Sequence, residues 1–318
     1  MCVVLTSALS AQEAKTIRVG MIGLDTSHVV AFTGELNKPD NTGDLAGVRI
    51  VAAFPGGSPD IESSWKRVQG YTEKLQAQGV KICDSIEAML KEVDAVMLES
   101  VDGRPHLKQA IPVIEAGKPL FIDKPMAASL ADAMEIFRLA KAKGVPVFSA
   151  SSLRFSAGFQ AVRNKTAPFG DVKRCEAWSP LNLEPHHPDL FWYGIHGVES
   201  LFTIMGPGCK QVTRVAPDKV VGIWADGREG TFVAKKGYGA MVEGTKQSGE
   251  AGKYDGYKPL VVEIAKFFKT GKPPVAEEET LEILAFMEAA DASKAQNGAA
   301  VTIESVMAKA RQSLAEKK

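Results

Sequence analysis

Glu184, His186, His187, Asp189, His196 and Glu199 fall in one short stretch of the chain. His196 and Glu199 are three residues apart and share a face if the segment is helical. Imidazole with carboxylate can hold zinc, manganese or iron, which makes His187, His196 and Glu199 the candidate metal ligands. The preferred reading is no metal: loop histidines between Pro185 and Pro188 serve equally as substrate contacts or as solvent-facing side chains. A second chemical group is Asp123-Lys124-Pro125. Lys124 follows the apolar run Leu120-Phe-Ile122, so it leaves the carboxyl end of a strand, where open α/β sheets bind ligands. Pro125 keeps its backbone extended. Partial burial would lower the lysine pKa toward a range useful for proton transfer.

The elements that must position these groups begin at Ile17-Arg-Val-Gly-Met-Ile-Gly23. An apolar strand ends at Gly23, and Val29, Phe32 and Leu36 then recur at helical spacing. Strand, tight turn and helix open a nucleotide-binding α/β unit. Asp25, Thr26 and Ser27 each suit the helix N-cap. A G-x-G-x-x-G fingerprint starting at Gly23 would place glycines where Asp25 and His28 stand. A carboxylate about 4–5 Å from a phosphate costs about 1 kcal/mol in water and more at lower dielectric. Pro55 occupies the end of the second strand, Val48–Phe54, where an acidic residue would hold the adenosine ribose.

The first half continues as alternating helices and strands. Helix is predicted over Ile61–Gln78, with Trp65, Val68, Tyr71 and Leu75 along a core face. Strands follow at Val80–Ile82, Asp94–Ser100, Leu120–Ile122 and Val145–Ala150. A helix capped by Ser85 and helices over His106–Ala116 and Leu130–Lys143 lie between them. This alternation predicts a doubly wound parallel sheet. After Ser151 the rhythm changes. Helices are predicted near Ala157–Asn164 and Trp192–Met205, a strand at Asp171–Trp178, and short antiparallel strands from Gln211 to Val242. Gly244–Gly256 reads as an exposed loop, and helices close the pattern at Leu260–Thr270 and Glu278–Asn297.

Composition narrows the function classes. Lys plus Arg number 38 and Asp plus Glu 38 in 318 residues, so the chain lacks the basic footprint of a nucleic-acid binder. No apolar run approaches the roughly 20 residues of a membrane span. Cys2, Cys83, Cys175 and Cys209 are scattered and read as buried thiols. Residues 1–14 are apolar and rich in small side chains, with Ala8 and Ser10 placed as at a signal-peptidase site. We read them as a truncated signal peptide implying export to the periplasm. The alternative is an N-terminal arm on a cytoplasmic protein.

The order of elements resembles the Gfo/Idh/MocA oxidoreductase family over nearly the whole chain from Lys15. The resemblance is carried by Val19-Gly-Met-Ile-Gly23, by Ala116-Gly-Lys-Pro-Leu-Phe-Ile-Asp-Lys-Pro125 against the family's A-G-K-x-V-x-x-E-K-P, by Gly194-Ile-His196, and by Thr270-Gly-Lys-Pro-Pro274 before Glu277-Glu-Glu-Thr280. It implies an N-terminal Rossmann domain (15–150) and a C-terminal α+β domain with a mainly antiparallel open sheet (151–318). It further implies hydride transfer between NAD or NADP and a sugar, polyol or related polyhydroxylated compound. Lys124 and His196 would be the catalytic pair, with Lys124 polarising the substrate oxygen and His196 its acid/base. The cofactor would lie over Gly23, Leu24, Asp25, Thr26, Ser27 and His28, with Glu99 and Asp123 as further contacts. Trp192, His186, His187 and Arg154 are the substrate-side candidates.

The chain departs from the family at Asp25, His28, Pro55, at Glu99-Ser100 in place of Thr-Pro, and at Trp192 in place of the helper aspartate. His106 aligns with the histidine ending that Thr-Pro loop. The departures concentrate on the cofactor side. They leave open a nucleotide-free, metal-dependent or metal-free, lyase, epimerase or hydrolase acting on carbohydrate, and a non-catalytic carbohydrate-binding protein. The partner implied is a small carbohydrate-like molecule. A homo-oligomer formed through the C-terminal sheet follows from the resemblance alone.

Overall fold

The structure, a computed structural model, describes residues 16–316. The leader reading of residues 1–14 lies outside the described residues. The first half forms β1 (Ile17–Ile22), α1 (Ser27–Leu36), β2 (Val48–Phe54), α2 (Glu62–Ala77), β3 (Lys81–Ile82), α3 (Ile86–Leu90), β4 (Ala95–Leu98), α4 (His106–Glu115), β5 (Leu120–Asp123), α5 (Leu130–Lys143) and β6 (Val147–Ala150). The strands are parallel, in the order β3-β2-β1-β4-β5-β6. That is the doubly wound order, with its reversal between β1 and β4.

Near-continuous apolar strands follow from burial on both faces. Val19, Met21, Ala95, Met97, Phe121 and Phe148 pack on one side, and Ile22, Val96, Leu98, Leu120, Ile122 and Val147 on the other. Thr26 caps α1 and Ser85 caps α3, as read from sequence, and Gly144 ends α5 in the left-handed conformation. β6 starts two residues later than expected because Pro146 has no N–H to pair.

The second half comprises α6 (Ala157–Arg163), β7 (Val172–Ser179), α7 (Ile195–Met205), β8 (Cys209–Ala216), β9 (Lys219–Trp224), β10 (Glu229–Ala234), β11 (Gly239–Gly244), β12 (Ser248–Ala251), α8 (Lys258–Thr270), α9 (Glu277–Ala295), β13 (Val301–Thr302) and α10 (Ile303–Glu316). Its sheet runs β12-β11-β7-β10-β9-β8-β13, antiparallel except for the parallel pair β7–β10. One face, with Ala177, Val212, Val220, Phe232 and Val242, packs on α7 and α9. Helix α8 turns back to the first sheet. Its Leu260, Ile264 and Phe267 join the core of β1, β5 and β6, and Phe267 meets Phe148 edge-on at 4.8 Å.

Four expectations need correction. The polar segment 244–256 is not a plain loop: Ser248–Ala251 pairs with β11, and Gly252 lies so close to α6 that a Cβ on Gly158 would sit 2.7 Å from its backbone. Trp65 is 52% exposed and lies beside Lys66 rather than in the core, because α2 packs through Ser64 and Leu75. The helix expected from Trp192 begins as a π-helical turn at Leu190–Gly194 before α7. β13 and α10 were not foreseen; α10 buries only Ile303, Val306 and Ala310, too thin an apolar stripe to stand out in sequence. The buried state of Cys83, Cys175 and Cys209 is as expected. No helix among the described residues is long and apolar enough to cross a membrane.

Candidate active site

A cavity of about 350 Å³ opens where the carboxyl ends of β1 and β5 face α7. Thr26, Ser27 and His28 line it from the start of α1, Lys124 from the end of β5, and Trp192 and His196 from the π turn and α7. These six expected residues, distant in sequence, share one wall system. Lys124 is almost wholly buried, with its Nζ 5.9 Å above the Tyr193 ring. His196 is buried as well, and its Nδ1 lies 2.8 Å from Ser151 Oγ. Burial, together with the charges of Lys124 and His28, holds the His196 pKa well below the usual histidine range. His196 is therefore neutral at neutral pH and can accept a proton. Trp192 tilts against His187 at 4.9 Å and presents its remaining edge to the cavity.

The turn after β1 is shaped by protein contacts. Gly23 has φ 85°, and a Cβ there would lie 2.4 Å from the Ser100 amide nitrogen, so the close approach of β1 to β4 requires glycine. Leu24 belongs to the core. Asp25 is turned away from the cavity. Its carboxylate accepts hydrogen bonds from Ser64 Oγ at 2.6 Å and the Val101 amide at 2.9 Å. Burial raises its pKa, opposed by these two bonds. The carboxylate that stands in place of a fingerprint glycine is thus withdrawn, and Thr26, Ser27 and His28 at the α1 amino end line the cavity. Arg67 of α2 also lines the cavity.

Other expected residues stand behind the walls. Asp123 Oδ2 lies 2.8 Å from His28 Nδ1, and Glu99 is fully buried. The metal candidates His187, His196 and Glu199 do not converge. His187 Nε2 lies 3.1 Å from Asp102, Glu199 pairs with Arg154, and His196 faces Ser151. Arg154 does not line the cavity: it is buried between Glu199 and Glu279, and Arg163 holds the far side of Glu279 at 2.7 Å. His186 is part-exposed beside Glu184 at 2.7 Å, outside the cavity lining. His106 bridges Met126 O and Ser100 O as a strut. Burial opposes ionisation of Asp102, yet hydrogen bonds from His187, Arg104 and Ser58 hold it well below the usual carboxylate range.

Sequence reasoning missed the tyrosines. Of five in the chain, Tyr193, Tyr238, Tyr254 and Tyr257 line the cavity. Tyr238, Tyr254 and Tyr257 form a ring chain with centroids 5.9 and 5.7 Å apart. The available signal was Tyr254-Asp-Gly-Tyr257, two aromatics inside an otherwise polar, Gly-rich segment. A wall of phenol rings combines flat apolar faces with hydroxyl tips.

Residues 17–151 match the family model described as oxidoreductase family, NAD-binding Rossmann fold (Gfo/Idh/MocA). Inositol 2-dehydrogenase 1 of Saccharopolyspora erythraea is 29% identical over 143 residues, 44% of this chain and 37% of that protein. The matched stretches span between 32% and 40% of the curated relatives. Among solved structures, a probable dehydrogenase from Thermotoga maritima superimposes with TM-score 0.72 at 21% identity, covering 91% of this chain and all of that one. Scyllo-inositol dehydrogenase from Lactobacillus casei, solved with NAD(H) and scyllo-inositol, gives TM-score 0.71 at 14% identity, with 91% and 100% coverage. At these identities the structural likeness is one of fold. Over residues 17–151 the chain is therefore similar to the NAD-binding Rossmann fold of the Gfo/Idh/MocA oxidoreductase family.

Proposed function

We propose that this protein is an NAD(P)-dependent oxidoreductase acting on a CH–OH group of a sugar, polyol or cyclitol-like compound. The observation that carries the reading is the meeting of Lys124 and His196, from different halves of the chain, in one cavity with the start of α1. The withdrawal of Asp25 onto Ser64 and Val101 leaves the α1 amide end and the Arg67 guanidinium to hold a pyrophosphate. No carboxylate stands at the end of β2 for the adenosine ribose, so that contact falls elsewhere.

A nicotinamide bound there would supply hydride acceptance. The chain's own residues do the rest. Lys124, as an ammonium, hydrogen-bonds the substrate hydroxyl and favours its alkoxide character. His196, neutral, takes the hydroxyl proton on a ring nitrogen, and in the reverse direction returns it. The tyrosine wall and Trp192 offer faces for the C–H side of a polyhydroxylated ring and exclude water. The inositol dehydrogenases among the relatives and solved structures support this substrate class.

The test is to denature purified protein, search for released NAD(H) or NADP(H) by mass spectrometry, and titrate both nucleotides into the stripped protein. Retained or rebound nucleotide, followed by reduction of it in the presence of a polyol, is the expected result. No release and no binding at about millimolar nucleotide, a ceiling set by ordinary cofactor affinities, would overturn the reading.

A further inference from the structure

Two histidines reach the cavity, one from each half of the chain, and they differ in what stands behind them. Ser151 faces His196 Nδ1. A neutral hydroxyl orients the ring but supplies no counter-charge for an imidazolium. Behind His28 stands a carboxylate: Nδ1 lies 2.8 Å from Asp123 Oδ2, and the Asp123 side chain is 3% exposed. The His28 ring is also fixed from the sides. It stacks on Phe32 at 5.3 Å and meets Tyr257 at 4.7 Å. With Nδ1 engaged by Asp123, the nitrogen left for a ligand is Nε2, on a side chain that lines the cavity with Lys124 and His196.

Glu99 lies behind this pair. Neither of its oxygens has a hydrogen-bond partner, and Asp123 Oδ1 has none either. One ligating atom from each of His28, Glu99 and Asp123 lies within 4.8 Å of the others. Two buried carboxylates this close do not both ionise. Burial and the charge of Asp123 push Glu99 well above the usual carboxylate range. Burial opposes ionisation of Asp123 too, but His28 and Lys124 hold it below that range. The negative charge therefore rests on the carboxylate that touches His28, with a neutral acid at its back.

We propose that His28, set by Asp123, is a second general acid/base of the cavity. Its step is a proton transfer: a substrate O–H breaks, its electron pair stays on oxygen, and an Nε2–H bond forms while Nδ1–H remains donated to Asp123. The departing charge is matched within the dyad, as carboxylate-backed imidazoles allow. The helper carboxylate missing beside His196 thus has a counterpart on the Rossmann side. The proposal rests on the cavity being the catalytic site read above, and adds a residue at a position where the fingerprint has glycine. The charged and titratable groups around His28 are Asp123 and Lys124 at the end of β5, Glu99 after β4, His196 on α7 and Tyr257 before α8.

The test needs neither nucleotide nor substrate. Full-length protein with ¹⁵N-labelled histidine is titrated by two-bond ¹H–¹⁵N NMR over about pH 5 to 9. The His28 resonances among the five histidines are assigned with His28→Gln. The expected result is an Nδ1–H tautomer whose proton affinity falls about tenfold or more in Asp123→Asn. An Nε2–H tautomer, or a His28 midpoint unmoved by Asp123→Asn, would overturn the proposal. Should Asp123→Asn fail to fold, Glu99→Gln keeps the dyad and should leave the His28 tautomer and midpoint as in the wild type. A change of tautomer there refutes the assignment. Diethyl pyrocarbonate with peptide mapping reads the same Nε2 nucleophile: acylation of His28 supports the proposal, and its absence counts against it. Uptake of one zinc or manganese ion per chain, lost in Glu99→Gln, would overturn it in favour of a cation site on these three side chains. Because the readout is independent of NAD(P), its failure is separable from failure of the nucleotide titration.

Discussion

Replacing Arg154 by methionine removes a buried cation from its ion-pair network while keeping most of its bulk. Glu279 retains Arg163 at 2.7 Å, but Glu199 loses the arginine that compensates its burial. Breaking such a buried pair from one side costs about 3–5 kcal/mol. Glu199 limits the loss by taking up a proton. Burial already pushes its carboxyl up from 4.5, with Arg154 opposing. At about pH 7.5 the cost of keeping it protonated, relative to the unfolded chain, is about three pKa units, or about 4 kcal/mol. At about pH 5.5 the same limit is about 1.4 kcal/mol.

The sign follows from linkage. In the variant the folded pKa of Glu199 lies above the unfolded one, so its stability is full below the unfolded pKa. That stability is lost as pH rises through the folded pKa. At about 2.1 cal/mol/K per residue over 318 residues, 4 kcal/mol is a fall in Tm of about 6 °C. Scanning calorimetry of wild type and R154M at the two pH values measures it. R154M/E199Q should recover most of the loss and its pH dependence, since no unpaired buried charge remains. An R154M protein with unchanged Tm at the higher pH and weakened ligand binding would refute the reasoning, and would return Arg154 to the substrate.

Asp291 tests the opposite end of the same linkage. Burial and the charge of Asp189 raise its pKa to about 6, against Arg214 and Lys294. Its folded-state proton affinity exceeds that of the unfolded chain, so stability from this group is full below about pH 4 and is lost as pH rises through about 6. Asp291→Asn should match the wild-type stability at low pH and exceed it at about pH 8 by up to about 3 kcal/mol, read as a higher Tm by scanning calorimetry. A variant less stable at pH 8 than at low pH, relative to wild type, would show the Arg214 pairing to be dominant. Pairing of copies through the second sheet is a further proposal, supported by exposed Met241 and Ile223 on β11 and β9. Light scattering should give a multimer for the wild type and a smaller species for Met241→Glu; a monomeric wild type refutes it.

Local signals were legible without coordinates. The apolar runs that became β4 and β5 are buried on both faces, so their hydrophobic pattern is unmixed. Thr26 and Ser85 act within one helical turn, which is why their roles follow from neighbours in the chain. Lys124 is legible because sheet topology sends strand ends to one crevice, whereas His196 is legible only through the family resemblance of Gly194-Ile-His196.

What the tertiary structure decided was the partner of each charge. Arg154, Glu199, His187 and Asp25 carry the same side chains whether they face a ligand or another residue. Their partners, Glu279, Asp102 and Ser64, lie far away in sequence. The tyrosine wall likewise exists only because the π turn, the start of β11 and the segment between β12 and α8 meet at one cavity. Local propensity acts over a few residues and is written in the chain. The pairing of buried charges depends on which distant segments share a low-dielectric space, and packing alone brings His28 to Asp123.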